Sequence, residues 1–328
     1  MAREQSRPGY YVGIDLGGTN IKGGIVDRSG QVVYFESIET EGDKGRDHVL
    51  DRMGWLVHRV REGAKLKKEQ IAGVGIGSPG PLSVKKGIIY SAPNLPGWEN
   101  LYLGDEIRAR TGLVTVIEND ANAAALAEAV AGAGKGMPCM IMLTLGTGIG
   151  GGIVINGRVW HGADDIAAEL GHISIAYDGI SCNCGSIGCV EAYASAPATV
   201  RRAREAMAAG GKSSLASKGD KLTCEEVFKA AAEGDELAAR VVADTAKFLA
   251  VAIASLINTF NPDMVVLFGG MTNAGEQLFA PVRDEVRKRC FPVGAARCKI
   301  VRSELGAYAG VIGAATAARH ALEEGAGA

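Results

Sequence analysis

The chain writes one β-turn-β phrase twice. Leu16-Gly17-Gly18-Thr19-Asn20-Ile21-Lys22-Gly23-Gly24-Ile25-Val26 is matched, with one residue fewer, by Leu145-Gly146-Thr147-Gly148-Ile149-Gly150-Gly151-Gly152-Ile153-Val154. Each copy follows an apolar strand, YYVGID before the first and MIMLT before the second, and each turn leads straight into another strand. A duplicated unit of this kind implies a pseudo-symmetric pair of domains facing one another across a ligand cleft. The length of 328 residues leaves room for both, because single cores stop growing near about 250–300 residues.

The rest of the chain fits that frame. Residues 10–39 read as a three-stranded meander, broken by the Gly-rich turn and by Arg28-Ser29-Gly30. Segments 47–64 and 103–111 carry helical spacing, while IAGVGIG and VTVIEND are short strands ending in polar residues. In the second half, Thr223 and Glu226 form a capping box ahead of a helix over 227–233. A longer apolar-periodic run over 236–259 stops at Pro262, and the strand MVVLF leads into Gly269-Gly270. An Ala-rich helix over 309–324 is expected to pack back on the first domain. The expected division is residues 1–121, with the C-terminal segment 309–328, against residues 122–308.

Charge and cysteine usage narrow the function classes. Thirty-five Lys and Arg stand against 37 Asp and Glu, so there is no electrostatic footprint for nucleic acid or an anionic membrane. The N-terminus has no apolar leader, and no uninterrupted apolar run reaches the roughly 18 residues of a spanning helix. A cytoplasmic protein working on small molecules is expected. Three of the seven cysteines crowd together as Cys182, Cys184 and Cys189, a pattern of metal binding rather than of a disulfide framework. With His172 they offer one imidazole and three thiolates, the donor set of a closed tetrahedral Zn²⁺ site with no open position. Scattered buried thiols are the other reading, since Cys-x-Cys is tighter than the usual spacing.

Two further segments carry chemistry. Asp15-Leu16-Gly17-Gly18-Thr19-Asn20 puts an acid at a strand end, then glycines that let backbone N–H groups approach an anion, then polar side chains. Taken alone it is either a phosphate turn or a tight hairpin in which Asp15 bonds its own turn. No G-x-x-x-x-G-K-[ST] sequence occurs, which disfavours a P-loop enzyme. Asp120 closes VTVIEND and precedes a helix over 121–131, so by residue type it is first of all that helix's N-cap, or else a carboxylate able to take a proton.

DLGGTN at 15–20, GSPGPL at 77–82, ENDANAAALAE at 118–128, LGTGIGGG at 145–152, ELGH at 169–172, CNCGSIGCVEAYAS at 182–195 and FGG at 268–270 together resemble the ROK family (repressors, open reading frames and sugar kinases), nearly end to end. The resemblance implies an α/β, two-domain actin-like ATPase (ribonuclease H-like) fold with internal duplication. It also implies an ATP- and Mg²⁺-dependent transfer of a phosphoryl group to the 6-hydroxyl of a hexose. On that resemblance Asp15, Gly17, Gly18, Thr19, Asn20 and Lys22 form the first phosphate loop, Thr144, Gly146, Thr147, Gly148 and Gly150 the second, and Gly269 and Gly270 approach the adenosine. Ser78, Gly80, Asn94, Asn119, Asp120, Glu169, His172 and Glu191 correspond to the sugar site, with Asp120 as the base. His172, Cys182, Cys184 and Cys189 correspond to a structural Zn²⁺ that orders the sugar-binding loop.

The stretch Asn94 to Trp98 looks most like the family's glucokinase members. Kinases of mannose, fructose or N-acetylmannosamine share the core motifs, and polyphosphate is an alternative donor. A sugar-responsive repressor of the same family would need a DNA-binding helix-turn-helix, for which the nine residues before the first strand leave no room. A homodimer or homotetramer is expected, with no nucleic-acid or membrane partner.

Overall fold

In the first strand, β1 (Tyr10–Leu16), Tyr11, Val12, Gly13 and Ile14 are all buried, the pattern of a central strand covered on both faces. Val12, Ile14 and Leu16 join one core, and Tyr11 joins a second with Val311, Ala315 and Ala318. The computed structural model describes residues 9–92 and 95–325, and the chain divides into two compact units. One comprises Met1–Gly136, Gly152–Ala168 and Glu304–Ala328, and the other Met137–Gly151 and Glu169–Ser303.

The first unit runs β1, β2 (Asn20–Asp27), β3 (Val32–Glu39), α1 (Arg46–Gly63), β4 (Ile71–Ser78), β5 (Leu82–Ser83), β6 (Ile88–Ser91), β7 (Glu99–Leu101), α2 (Leu103–Thr111), β8 (Thr115–Asn119) and α3 (Asp120–Ala131). Its main sheet has the order β3-β2-β1-β4-β8, with β1 antiparallel to β2 and parallel to β4, and β4 parallel to β8. The second sheet follows from β9 (Cys139–Leu145), β10 (Ile149–Ile155), β11 (Arg158–Val159), α4 (Val190–Ala194), α5 (Ala196–Ala208), α6 (Cys224–Ala232), α7 (Glu236–Phe260), β12 (Met264–Phe268), α8 (Glu276–Arg287), α9 (Pro292–Arg297) and β13 (Lys299–Arg302), before the closing helix α10 (Ala309–Gly325).

Its order, β11-β10-β9-β12-β13, repeats the first sheet position for position: a hairpin on one side, then two parallel strands. The duplicated phrase is thus the turn of each hairpin.

Where the sequence sets a boundary at 121/122, the first unit extends to Gly136 and takes in α3. Packing explains the difference, because α3 lies along α10, and α10 lies on β1 and β4. That helix sits on bare backbone. A Cβ at Gly13 would overlap the Val311 carbonyl and one at Gly75 the Ala314 carbonyl, so glycine lets helix and sheet approach to main-chain contact.

Helix ends follow local chemistry. Thr223 and Glu226 make the reciprocal capping box of α6, and Asp235 Oδ1 accepts from Ala238 N at 3.0 Å to start α7. Asn261 ends α7 in the left-handed region at φ 46°, and Pro262 follows. Among the described residues α7 alone is long and apolar enough to cross a membrane, yet 61% of its most apolar stretch is buried. It packs against α5, α6 and α8 as the core helix of its unit.

Candidate active site

In the first unit the proposed chemistry collects at the carboxyl ends of three neighbouring strands, where open parallel sheets place their ligands. Asp15 pairs in register with Gly77, and Ser78 with Asn119. The turn after β1 closes through Gly17 N–H donating to Asn20 O at 3.0 Å. Thr40 braces it from outside, its Oγ1 donating to Gly17 O at 2.6 Å and its N–H to Thr19 O at 2.8 Å. Gly18, Thr19 and Asn20 stay exposed at the tip. Lys22, directly across the hairpin, holds Asp15 Oδ2 at 3.0 Å.

At the end of β8 the expected N-cap moves by one residue. Asn119, not Asp120, caps α3: its Oδ1 accepts from Ala121 N at 3.0 Å and Asn122 N at 3.2 Å. Asp120 is the first helical residue and is exposed, with one oxygen accepting from Ala121 N at 2.8 Å. The chain therefore separates the two roles that sequence left on one residue. Ser78 is fully buried and donates to Pro79 O at 3.3 Å. Gly80 follows at φ 89°, pressed against the Ser91 carbonyl, a position that an L side chain would strain. Asn94 lies outside the described residues.

The second unit holds the other turn. Gly146 N–H donates to Gly148 O at 3.0 Å, and Gly150 N–H to Thr144 Oγ1 at 2.9 Å. Thr147 is exposed at its tip. It borders a cavity of about 410 Å³ lined also by Pro197, Val200, Arg201, Arg204 and Cys224. Gly269, at φ 105°, sits against the Leu145 carbonyl, where no Cβ fits, with Gly270 beside it.

Glu191 also reaches the second turn. Its Oε2 accepts from Ile149 N at 2.8 Å, so the carboxylate braces the second turn, and Gly148 leaves it the space. Glu169 is exposed just before His172.

The donor atoms of His172, Cys182, Cys184 and Cys189 all lie within 4.8 Å of one another. Cys184 Sγ and Cys189 Sγ are 3.7 Å apart, and His172 Nδ1 is 3.8 Å from Cys182 Sγ. A tetrahedron with metal–sulfur bonds near 2.3 Å has edges of about 3.8 Å. Burial and the neighbouring thiols push Cys189 up to about 12 and also raise Cys182. Three thiolates would be stable in this space only with a cation between them, and the spacing of the four donors fits a tetrahedral Zn²⁺.

Two features were not legible beforehand. Gly310, in the first turn of α10, lies against the Asp15 carboxylate, although 295 residues separate the two in sequence. Glu118, 2% exposed, bonds His161 from a loop distant in sequence. An acid at the apolar end of a strand was the only hint.

The family model described as "ROK family" matches residues 11–321. A glucokinase of Thermotoga maritima is 39% identical over 308 residues, covering 93% of this chain and 96% of the relative. A ROK hexokinase from Thermus thermophilus superposes with a TM-score of 0.85 at 33% identity, over 96% of this chain and 99% of that one. A ROK glucokinase from Streptomyces griseus, solved with glucose and AMPPNP, gives a TM-score of 0.76 at 34% identity, over 95% of this chain and all of that one.

Proposed function

Because the chain belongs to the ROK family, we propose that it is an ATP-dependent glucokinase. The observation that carries this reading is the exposed Asp120 carboxylate at the carboxyl edge of the first sheet, next to Asn119, whose side chain is the cap of α3. The named function of the relatives at 39% and 34% identity supports glucose as the sugar.

In the reaction, the glucose 6-hydroxyl gives its proton to Asp120 as its oxygen bonds to the γ-phosphorus, while the bond from that phosphorus to the bridging oxygen breaks and ADP leaves. Asn119 and Ser78 orient the sugar, and the N–H groups of the first turn approach the phosphate. Asp15 is the carboxylate at the first turn that would hold Mg²⁺ brought with ATP, an ion that would offset phosphoryl charge. Glu191 acts by fixing Ile149 in the second turn. His172, Cys182, Cys184 and Cys189 would hold a structural Zn²⁺, whose chemistry is to cross-link the loop that also carries Glu169.

A coupled assay of the purified chain against a panel of hexoses, N-acetylhexosamines and phosphoryl donors tests this. The highest kcat/KM is expected for glucose with ATP. A higher value for N-acetylmannosamine or mannose would replace the substrate, and no turnover of any sugar would end the kinase reading.

A further inference from the structure

Glu118 is a carboxylate immersed in the first unit's core. It is 2% exposed, one residue before Asn119 and two before Asp120. A buried carboxylate is tolerated only where its oxygens are saturated by donors, and here they are. Oε1 accepts from Asn119 N at 3.0 Å and from Asn122 Nδ2 at 3.2 Å. Oε2 accepts from His161 Nε2 at 2.7 Å. One side chain thus grips the backbone of the capping residue and a side chain of the first turn of α3. The Asn122 amide is buried, and its Oδ1 has no partner, so its hydrogen bonding is directed to Glu118.

His161 is itself fixed from outside the strand. Its carbonyl accepts from Ala167 N at 3.1 Å, and Trp160 N donates to Ile153 O at 2.8 Å, closing the loop that carries it. Asp165, buried in that loop, accepts from Ser83 Oγ at 2.9 Å and from Lys85 N at 3.3 Å. The loop is therefore tied to β5, and the imidazole meets Glu118 as an anchored donor. Burial pulls the imidazolium down, but the Glu118 carboxylate outweighs it and leaves His161 above its ordinary range.

We propose that His161 is a positioning residue for phosphoryl transfer, acting through Glu118 to hold Asn119 and Asp120 in their reactive placement. It rests on the reading of Asp120 as base. A catalytic group must be held within a fraction of an ångström by groups that are themselves locked. Without the imidazole, one Glu118 oxygen is left in the core with no donor. It then has to turn toward water or recruit another donor, and either movement releases the Asn119 N–H that sets the start of α3.

The test is a cycle of four variants in the full chain, with steady-state kinetics and glucose binding measured for each: Asp120→Asn, His161→Leu, His161→Gln and the double variant Asp120→Asn with His161→Leu. Asp120→Asn should lower kcat by about 10²-fold or more. His161→Leu should lower kcat by about 10-fold or more while glucose still binds. His161→Gln, which keeps an N–H donor, should recover most of that loss. In the double variant His161→Leu should cost little beyond Asp120→Asn, because residues acting as a unit are not additive.

If Asp120→Asn keeps full kcat, the base reading falls and the positioning role with it. If Asp120→Asn is impaired but His161→Leu turns over normally, or its effect multiplies in the double variant, the positioning role alone is overturned. Should His161→Leu fail to fold, His161→Gln and Glu118→Gln take its place. Glu118→Gln removes the buried charge yet keeps one acceptor oxygen, and unchanged kcat there also overturns the proposal.

Discussion

Gly310 packs against the Asp15 carboxylate so closely that a Cβ on residue 310 would overlap it. The two belong to α10 and β1, and Val311, the next residue, is fully buried against the same sheet. The backbone of α10 has no space to retreat, because close-packed interiors transmit displacement rather than absorb it. Gly310→Ala should therefore push Asp15 out of place. Alanine is about 1 kcal/mol better than glycine in a helix, so melting should change little. The KM for MgATP should rise, or kcat fall, by roughly 10-fold, with glucose affinity retained, on the scale of one lost charge-assisted contact. Wild-type kinetics in Gly310→Ala would show that Asp15 has no role at the first turn.

Asp120→Asn separates chemistry from folding more cleanly here than a capping aspartate would allow. Asn119 supplies the cap through its contacts with Ala121 and Asn122, so the substitution leaves the helix start intact. Thermal melting should stay within a few degrees of wild type, while kcat drops by about 10²–10⁴. Calorimetry should still detect glucose binding. A large fall in melting temperature with normal turnover in the folded fraction would assign Asp120 to structure instead.

The thiol and imidazole cluster predicts one tightly held zinc per chain. Cys184 is the exposed member, so its truncation to Cys184→Ala makes no core cavity, and any loss of stability must come through the metal. Elemental analysis should find zinc near one equivalent in the wild type and a strongly reduced content in Cys184→Ala. Melting temperature and glucose affinity should fall together. Wild-type protein purified without zinc would remove the proposed cross-link.

Acid stability should depend on His320. Burial, followed by the cations of Arg158 and Arg319, pulls its imidazole down to about 4. Arg319 Nη2 donates to the neutral His320 Nε2 at 3.3 Å. The sign follows from linkage: between pH 6.5, where an unfolded histidine titrates, and about pH 4, the unfolded chain binds a proton that the folded chain refuses. The contribution is thus present above pH 6.5 and is lost as pH falls through that window. His161 is raised rather than lowered, so its contribution is constant across the window and fades only on the alkaline side. Urea titrations at pH 7 and pH 4.5 should give a smaller stability difference for His320→Gln than for wild type. Equal differences would mean that His320 is protonated in the folded chain.

The amino-acid sequence by itself determined what is written within a few residues. The two hairpin turns at 16–20 and 145–149, the Thr223–Glu226 capping box, the stop at Pro262, and α2 and β12 are all fixed by local backbone and side-chain chemistry. The internal repeat carried further, into two sheets with the same strand order, because strand pairing repeats when the pattern of turns and apolar residues repeats. The Cys-x-Cys spacing, with His172 ten residues upstream of Cys182, likewise announced the donor cluster.

Tertiary structure decided the rest, because partners distant in the chain leave no local trace. Which of Asn119 and Asp120 caps α3 depends on backbone angles at one junction, where residue type allows both. Glu191 could not be matched to Ile149 N across 42 residues, nor Glu118 to His161 across 43. A hydrogen bond specifies geometry and donor type, whereas sequence records only the donor. The fit of Gly310 against Asp15 lies deeper still: a glycine marks where something approaches, and only the packed fold determines what does.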